Sequence, residues 1–103
     1  MAFGLKRDEL IKWKRQVIAS EIAIITHYWQ DERFPHITTV TKIGCADLNK
    51  LVEWGSKYNL KPEWVDLRVD YPHYDVFGNK QIEILLNENQ INQIKRFKIK
   101  THY

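Results

Sequence analysis

Apolar residues recur at helical spacing from Asp8 to Ile18, where Leu10, Ile11, Val17 and Ile18 form a broad stripe with Trp13 on its flank, and this predicts a first helix. Its basic residues Arg7, Lys12, Lys14 and Arg15 fall at several angles around the cylinder, so it does not read as a recognition helix. Glu21 to His27 is a continuous run rich in β-branched residues, the pattern of a central strand buried on both faces. Trp29 to His36 breaks that pattern with charges and Pro35, and Thr38 to Ile43 returns to it as a second strand. Gly44 closes the strand, and Asp47 or Cys45 opens a second helix reaching about Tyr58. Leu48, Leu51, Val52, Gly55 and Tyr58 share one face of it. Gly55 in the middle of that face predicts a close approach to the sheet, because glycine otherwise costs about 1 kcal/mol against alanine in a helix interior.

Asn59 reads as a helix stop, Lys61 to Trp64 as a tight turn, and Val65 to Val69 as a third, half-exposed strand. Strand, helix and strand in that order predict a right-handed parallel crossover between residues 38 and 69. Gly78-Asn79 marks a turn. Lys80 to Asn87 fits both periods, with helix favoured, and Asn87 to Gln93 reads as a polar loop. Phe97, Ile99 and Thr101 alternate with Lys98 and Lys100 like an edge strand. The expected fold is α/β: a single compact domain over residues 1–103, with a small mixed sheet of three to four strands packed by two to three helices. Residues 94–103 form a basic C-terminal strand or tail.

Composition agrees with that reading and narrows the setting. The 103 residues suit one hydrophobic core, and 44% apolar with 28% charged residues match an ordinary globular chain. The lone Cys45 has no disulfide partner within the chain, and neither a leader pattern nor a membrane-length apolar run is seen, which together point to the cytoplasm. The net charge of +3 gathers at the two ends, through Lys6, Arg7, Lys12, Lys14 and Arg15 and again through Lys95, Arg96, Lys98 and Lys100. Such ends either attract phosphate-rich partners or simply keep a small protein in solution.

The chemistry-bearing residues concentrate in two stretches, His27 to His36 and Tyr71 to Asp75, each following an expected strand. Ligands collect beyond the carboxyl ends of strands in α/β sheets, so the two stretches are expected to share a cleft. His27, His36, His73 and Asp75 then offer imidazoles and a carboxylate to Zn²⁺, Mn²⁺ or Fe²⁺. Alternatively, His73 acts as a general base oriented by Asp75, with His27 as a second catalytic group. Trp29, Asp31, Arg33, His36, Arg68 and Tyr74 are the candidate ligand-binding residues. Arg33 and Arg68 suit a phosphate or carboxylate, and Trp29, Trp64, Tyr71 and Tyr74 suit ring stacking. The plainer alternatives stay open: hydrogen-bonded histidines, Arg33 and Arg68 paired with Asp31 and Asp66, aromatics in the core or a homodimer contact, a structural Cys45, Asp75 as a cap, and His102 in a tail. No H-E-x-x-H, paired cysteines, Walker-type loop or G-x-S-x-G is present to name a reaction or a cofactor.

Thr26-His27-Tyr28-Trp29, Asp31-Glu32-Arg33-Phe34-Pro35, Thr38-Thr39-Val40-Thr41-Lys42, Gly44-Cys45 and Pro72-His73-Tyr74-Asp75 together resemble the YneQ-like small proteins of Gram-positive bacteria. The stretch from Asp47 to Asp75 also resembles a broader group of short bacterial proteins with the same order of helix, aromatic and His-Tyr-Asp. The resemblance implies a small bacterial cytosolic protein and transfers no catalytic residue. The leading expectation is a binder of a small polar or anionic ligand, or of a metal. The others are a nucleic-acid accessory protein using Lys6, Arg7, Lys12, Lys95, Arg96 and Lys98, and a protein-binding regulator. No membrane partner is expected.

Overall fold

Side chains on a strand alternate between two faces, and three short strands with different neighbours on each face generate the architecture. The computed structural model describes residues 4–67 and 71–100. Its elements run α1 (Arg7–Ile18), β1 (Ala23–Tyr28), β2 (Thr39–Gly44), α2 (Leu48–Ser56), a 3-10 turn (Pro62–Trp64), β3 (His73–Val76), α3 (Gly78–Asn87) and α4 (Ile91–Arg96).

The sheet has the order β1-β2-β3 and is antiparallel throughout. Its registers run from Ala23↔Gly44 to Tyr28↔Thr39 and from Thr41↔Val76 to Gly44↔His73. One face therefore carries Ala23, Ile25, His27, Val40, Lys42, Gly44, His73 and Asp75. The other carries Ile24, Thr26, Tyr28, Thr39, Thr41, Ile43, Tyr74 and Val76.

Helix α1 packs on the first face, where Trp13 and Val17 cluster with Ala23 and Ile25. Asp8 and Glu9 lie in its first turn and Arg15 in its last, as the helix dipole favours. The Trp13 indole N–H donates to the Ala23 carbonyl at 2.9 Å. Gly44 lies directly beneath it, and a Cβ there would come within 2.7 Å of the indole ring. On the second face α2 and α3 close the larger core of Ile43, Leu51, Trp54, Tyr74, Val76 and Ile84. A buried polar seam crosses the same face. The Thr26 and Thr41 hydroxyls lie 2.7 Å apart, the Gln81 amide donates to Thr41 at 3.0 Å, and the Gln93 amide donates to the Ile24 carbonyl at 3.1 Å. Because these groups satisfy one another, the seam favours one register over its neighbours.

The expected α/β class holds, with corrections to its parts. The sheet is antiparallel, not mixed, so among the described residues there is no parallel crossover after residue 38. The Val65 to Val69 strand shrinks, within the described residues, to a single antiparallel bridge between Asp66 and His73. The strand that pairs with β2 is instead His73–Val76, which period-two alternation carries through a stretch read as a loop. Asn87 to Gln93, expected as a loop, contains the end of α3 and the start of α4. Phe97 is not a strand residue: it follows α4, packs edge-on against Tyr28 with ring centres 4.9 Å apart, and precedes Lys98 at φ 51°, which is not extended. Arg68, His102 and the last part of the expected tail lie outside the described residues.

Gly55 performs the close approach that its place in the sequence predicts. An added Cβ would meet the Tyr74 ring at 2.8 Å and its hydroxyl at 2.9 Å, and Tyr74 is itself fully buried with a hydroxyl that finds no hydrogen-bond partner. Gly55→Ala is expected to lower stability by about 1–3 kcal/mol through overpacking. Tyr74→Phe, which removes a buried unsatisfied group, is expected to raise stability by about 1 kcal/mol and to soften the Gly55→Ala loss. Urea unfolding of the two single variants and the double variant measures both effects.

Candidate functional site

Strand β3 places His73 and Asp75 on the same face of the sheet, because residues two apart on a strand point the same way. Asp66 joins them through its bridge with His73: each residue's backbone N–H donates to the other's carbonyl, at 2.7 and 3.3 Å. The His73 Nε2 lies 3.3 Å from an Asp75 carboxylate oxygen and 3.9 Å from one of Asp66. One ligand atom from each of the three side chains lies within 4.8 Å of the others, and this is the only His/Cys/Asp/Glu group of that kind among the described residues.

Each member has a distinct environment. His73 is almost fully buried, Asp66 is half-buried and Asp75 is exposed. The His73 Nδ1 is 2.8 Å from the Tyr71 carbonyl oxygen, so Nδ1 carries the proton and Nε2 faces the carboxylates. Burial depresses the His73 pKa, but the hydrogen bonds to Asp75 and to the Tyr71 carbonyl outweigh it, and the net direction is upward from 6.5. The site is thus an imidazole ring whose Nε2 faces two carboxylates, an arrangement that favours its protonated form. Beside it opens a shallow depression of about 400 Å³ lined by Trp64, Val65, Asp66, Leu67 and Asp75, with Trp64 54% exposed.

His27 and Lys42 occupy the same sheet face as His73 and Asp75. His27 lies within β1, rather than at its end, and is only 3% exposed. Its Nδ1 donates to the Tyr28 carbonyl at 2.8 Å, and its Nε2 is buried without a partner. Desolvation is the chief reason that its pKa is lowered from 6.5. Thus one face carries two histidines driven toward opposite protonation states, the arrangement that separates acid from base in many active sites.

The remaining candidates are placed elsewhere. His36 is exposed in the loop between β1 and β2, and neither it nor His27 belongs to the three-residue cluster. Arg33 and Asp31 form a two-point pair with each other, at 2.6 and 2.9 Å, which holds the Asp31 carboxyl at about 2. Trp29 stacks on Phe77 and lies near Phe34, a surface aromatic group at the end of the sheet. Tyr74 points into the helix-covered core, on the opposite sheet face from His73. Cys45 is wholly buried. Arg96 is engaged with Glu9 and the Gly4 carbonyl, so it joins the two chain ends. No helix among the described residues is long and apolar enough to cross a membrane.

Asp66 and Lys42 were not singled out as site residues. The signal for Asp66 was available in its place on a strand-like segment, but its partner strand was read as a loop. Lys42 becomes visible once the register sets it opposite Asp75.

A Bacillus subtilis (strain 168) protein described as uncharacterized protein YneQ is 53% identical over 97 residues, spanning 94% of this chain and 98% of that protein. The chain belongs to the YneQ family. The likeness to YneQ extends over nearly the whole domain, so α1, the sheet and the later helices all belong to the family's shared length. No protein-family model matches the chain. No solved structure matches it.

The two histidines should titrate in opposite directions from the ordinary value. A raised pKa means that His73 contributes stability that is complete below about 6.5 and is lost as pH rises through its folded value. A lowered pKa means that His27 weakens the fold as pH falls below 6.5 toward its folded value. Imidazole proton shifts followed by NMR in metal-free protein should place the His73 midpoint above that of His27. The reverse order would show that the Asp75 contact does not outweigh burial.

Proposed function

We propose that this protein binds a divalent first-row metal ion, Zn²⁺, Mn²⁺ or Fe²⁺, through His73 Nε2 and the carboxylates of Asp66 and Asp75. The observation that carries this reading is the convergence of the three donors on one point, with the His73 Nδ1 anchored to the Tyr71 carbonyl. Metal-binding histidines use that same outer hydrogen bond to fix the tautomer and aim the other nitrogen. An ion sits about 2.1 Å from each donor, which puts neighbouring donors roughly 3–3.5 Å apart. His73 and Asp75 already meet that spacing at 3.3 Å, whereas Asp66 lies 3.9 Å from His73 and the three donor atoms lie within 4.8 Å of one another, so Asp66 must move inward to complete the set.

Three protein donors would leave coordination positions open, and the depression lined by Asp66 and Asp75 with Trp64 and Leu67 offers room for a ligand there. The ion would act there as a Lewis acid or hold a small polar ligand, which is the chemistry common to the binding and enzyme forms of this reading. Binding displaces the His73 proton, so affinity should rise with pH through the raised His73 pKa and fall away below it.

Thermal unfolding with added Zn²⁺ or Mn²⁺ tests the proposal, because a ligand of the folded state raises stability by mass action. The wild type should gain about 3 kcal/mol at a hundredfold excess over Kd. His73→Ala and Asp75→Asn should lose most of that gain, whereas His36→Ala should keep it. Equal stabilisation of wild type and His73→Ala would refute the site.

A further inference from the structure

The sheet face that holds the three donors also holds an ammonium group with nothing to pair with. Lys42 lies in the central strand directly opposite Asp75, yet its ammonium group makes no hydrogen bond or ion pair among the described residues. The Asp75 carboxylate turns instead to His73. Lys42 is half-buried, which makes an unpaired charge more costly than on an open surface. It shares the sheet face with His27 and His73, and its charge works against protonation of both. Cross-strand neighbours on one face lie about 5 Å apart at Cβ, so the side chain is long enough to extend toward Asp75 and the metal position.

The charge balance defines what would fit. A divalent ion with two carboxylates and a neutral His73 is uncharged as a unit, and Lys42 adds one positive charge beside its open coordination positions. A monoanionic oxygen ligand matches that arrangement, with one oxygen on the metal and another accepting from the ammonium group. An ordinary neutral ligand would leave Lys42 unpaired, and a second cation would be repelled.

We infer that the site binds an oxyanion, the phosphate or carboxylate group of a small molecule, bridged between the metal ion and Lys42. This rests on the metal reading above and adds its ligand class. Lys42 is a binding residue in this arrangement.

Relaxation by bound Mn²⁺ supplies the test. The full-length protein is loaded with Mn²⁺, electron paramagnetic resonance counts the bound ion, and NMR follows the line widths of inorganic phosphate (³¹P) and of ¹³C-labelled acetate. Wild type is expected to broaden phosphate, acetate or both well beyond a free-Mn²⁺ control. Lys42→Met, which keeps the aliphatic stem, should hold Mn²⁺ as before and weaken the broadened anion about tenfold or more, the usual scale for a charge-assisted hydrogen bond. Phosphate alone identifies a phosphate ligand, and acetate alone a carboxylate. Bound Mn²⁺ without broadening of either anion, or equal broadening in Lys42→Met, overturns the bridging site and leaves the metal site standing. Absence of bound Mn²⁺ overturns both.

Discussion

The register between β2 and β3 is the constraint on which the rest of the molecule depends. Its four pairs, from Thr41↔Val76 to Gly44↔His73, decide that Tyr74 and Val76 enter the helix-covered core while His73 and Asp75 take the opposite face. A slip by one residue would exchange the two sets, burying a carboxylate among Leu51, Trp54 and Ile84 and exposing a tyrosine. Several contacts oppose that slip. Gly44 admits the Trp13 indole, Gly55 admits the Tyr74 ring, and Gln81 reaches Thr41 from α3. Gly44 is itself the register partner of His73, and the other two act from the opposite face of the sheet.

A division of labour between the two faces follows. The helix-covered face buries most of its polar groups in satisfied pairs, as Thr26, Thr41, Gln81 and Gln93 do, the Tyr74 hydroxyl excepted. The other is covered by α1 around Gly44 and Ile25 and carries titratable groups beyond that helix: His27, Lys42, His73, Asp75 and, by its bridge, Asp66. The His27 Nε2 is buried here without a partner, and the ammonium of the half-buried Lys42 makes no hydrogen bond or ion pair among the described residues. Both lie on the face with the candidate metal donors, where groups left over from packing are open to binding.

Much of this was legible in the sequence. Helix α1, helix α2 with its Asp47 cap, and strands β1 and β2 fall within a residue or two of their expected bounds, because each has a strong period and a clear stop. Asn59 ends α2 at a positive φ of 60°, and Gly55 makes its close approach. Strand β3 escaped because it is four residues long, opens after a proline and carries a histidine and an aspartate where a strand usually shows apolar alternation. That single omission generated the parallel crossover and hid Asp66, since a bridge needs both of its strands. His73 and Asp75 were recognisable as a pair from their spacing alone. His27 and His36 could be grouped with them only by assuming a shared loop cluster, and the antiparallel sheet instead puts His27 inside a strand and His36 in an exposed loop.

The central claim is that the β2–β3 register assembles a metal site from Asp66, His73 and Asp75. Anomalous diffraction from crystals of the Mn²⁺-loaded protein tests it most directly, because it locates the ion without assuming its ligands. The account expects one strong peak about 2.1 Å from His73 Nε2 and from an oxygen of each aspartate. A strong peak elsewhere, at His36 or at Asp31 for example, or no ordered ion in crystals grown above the pH at which His73 loses its proton, would contradict it.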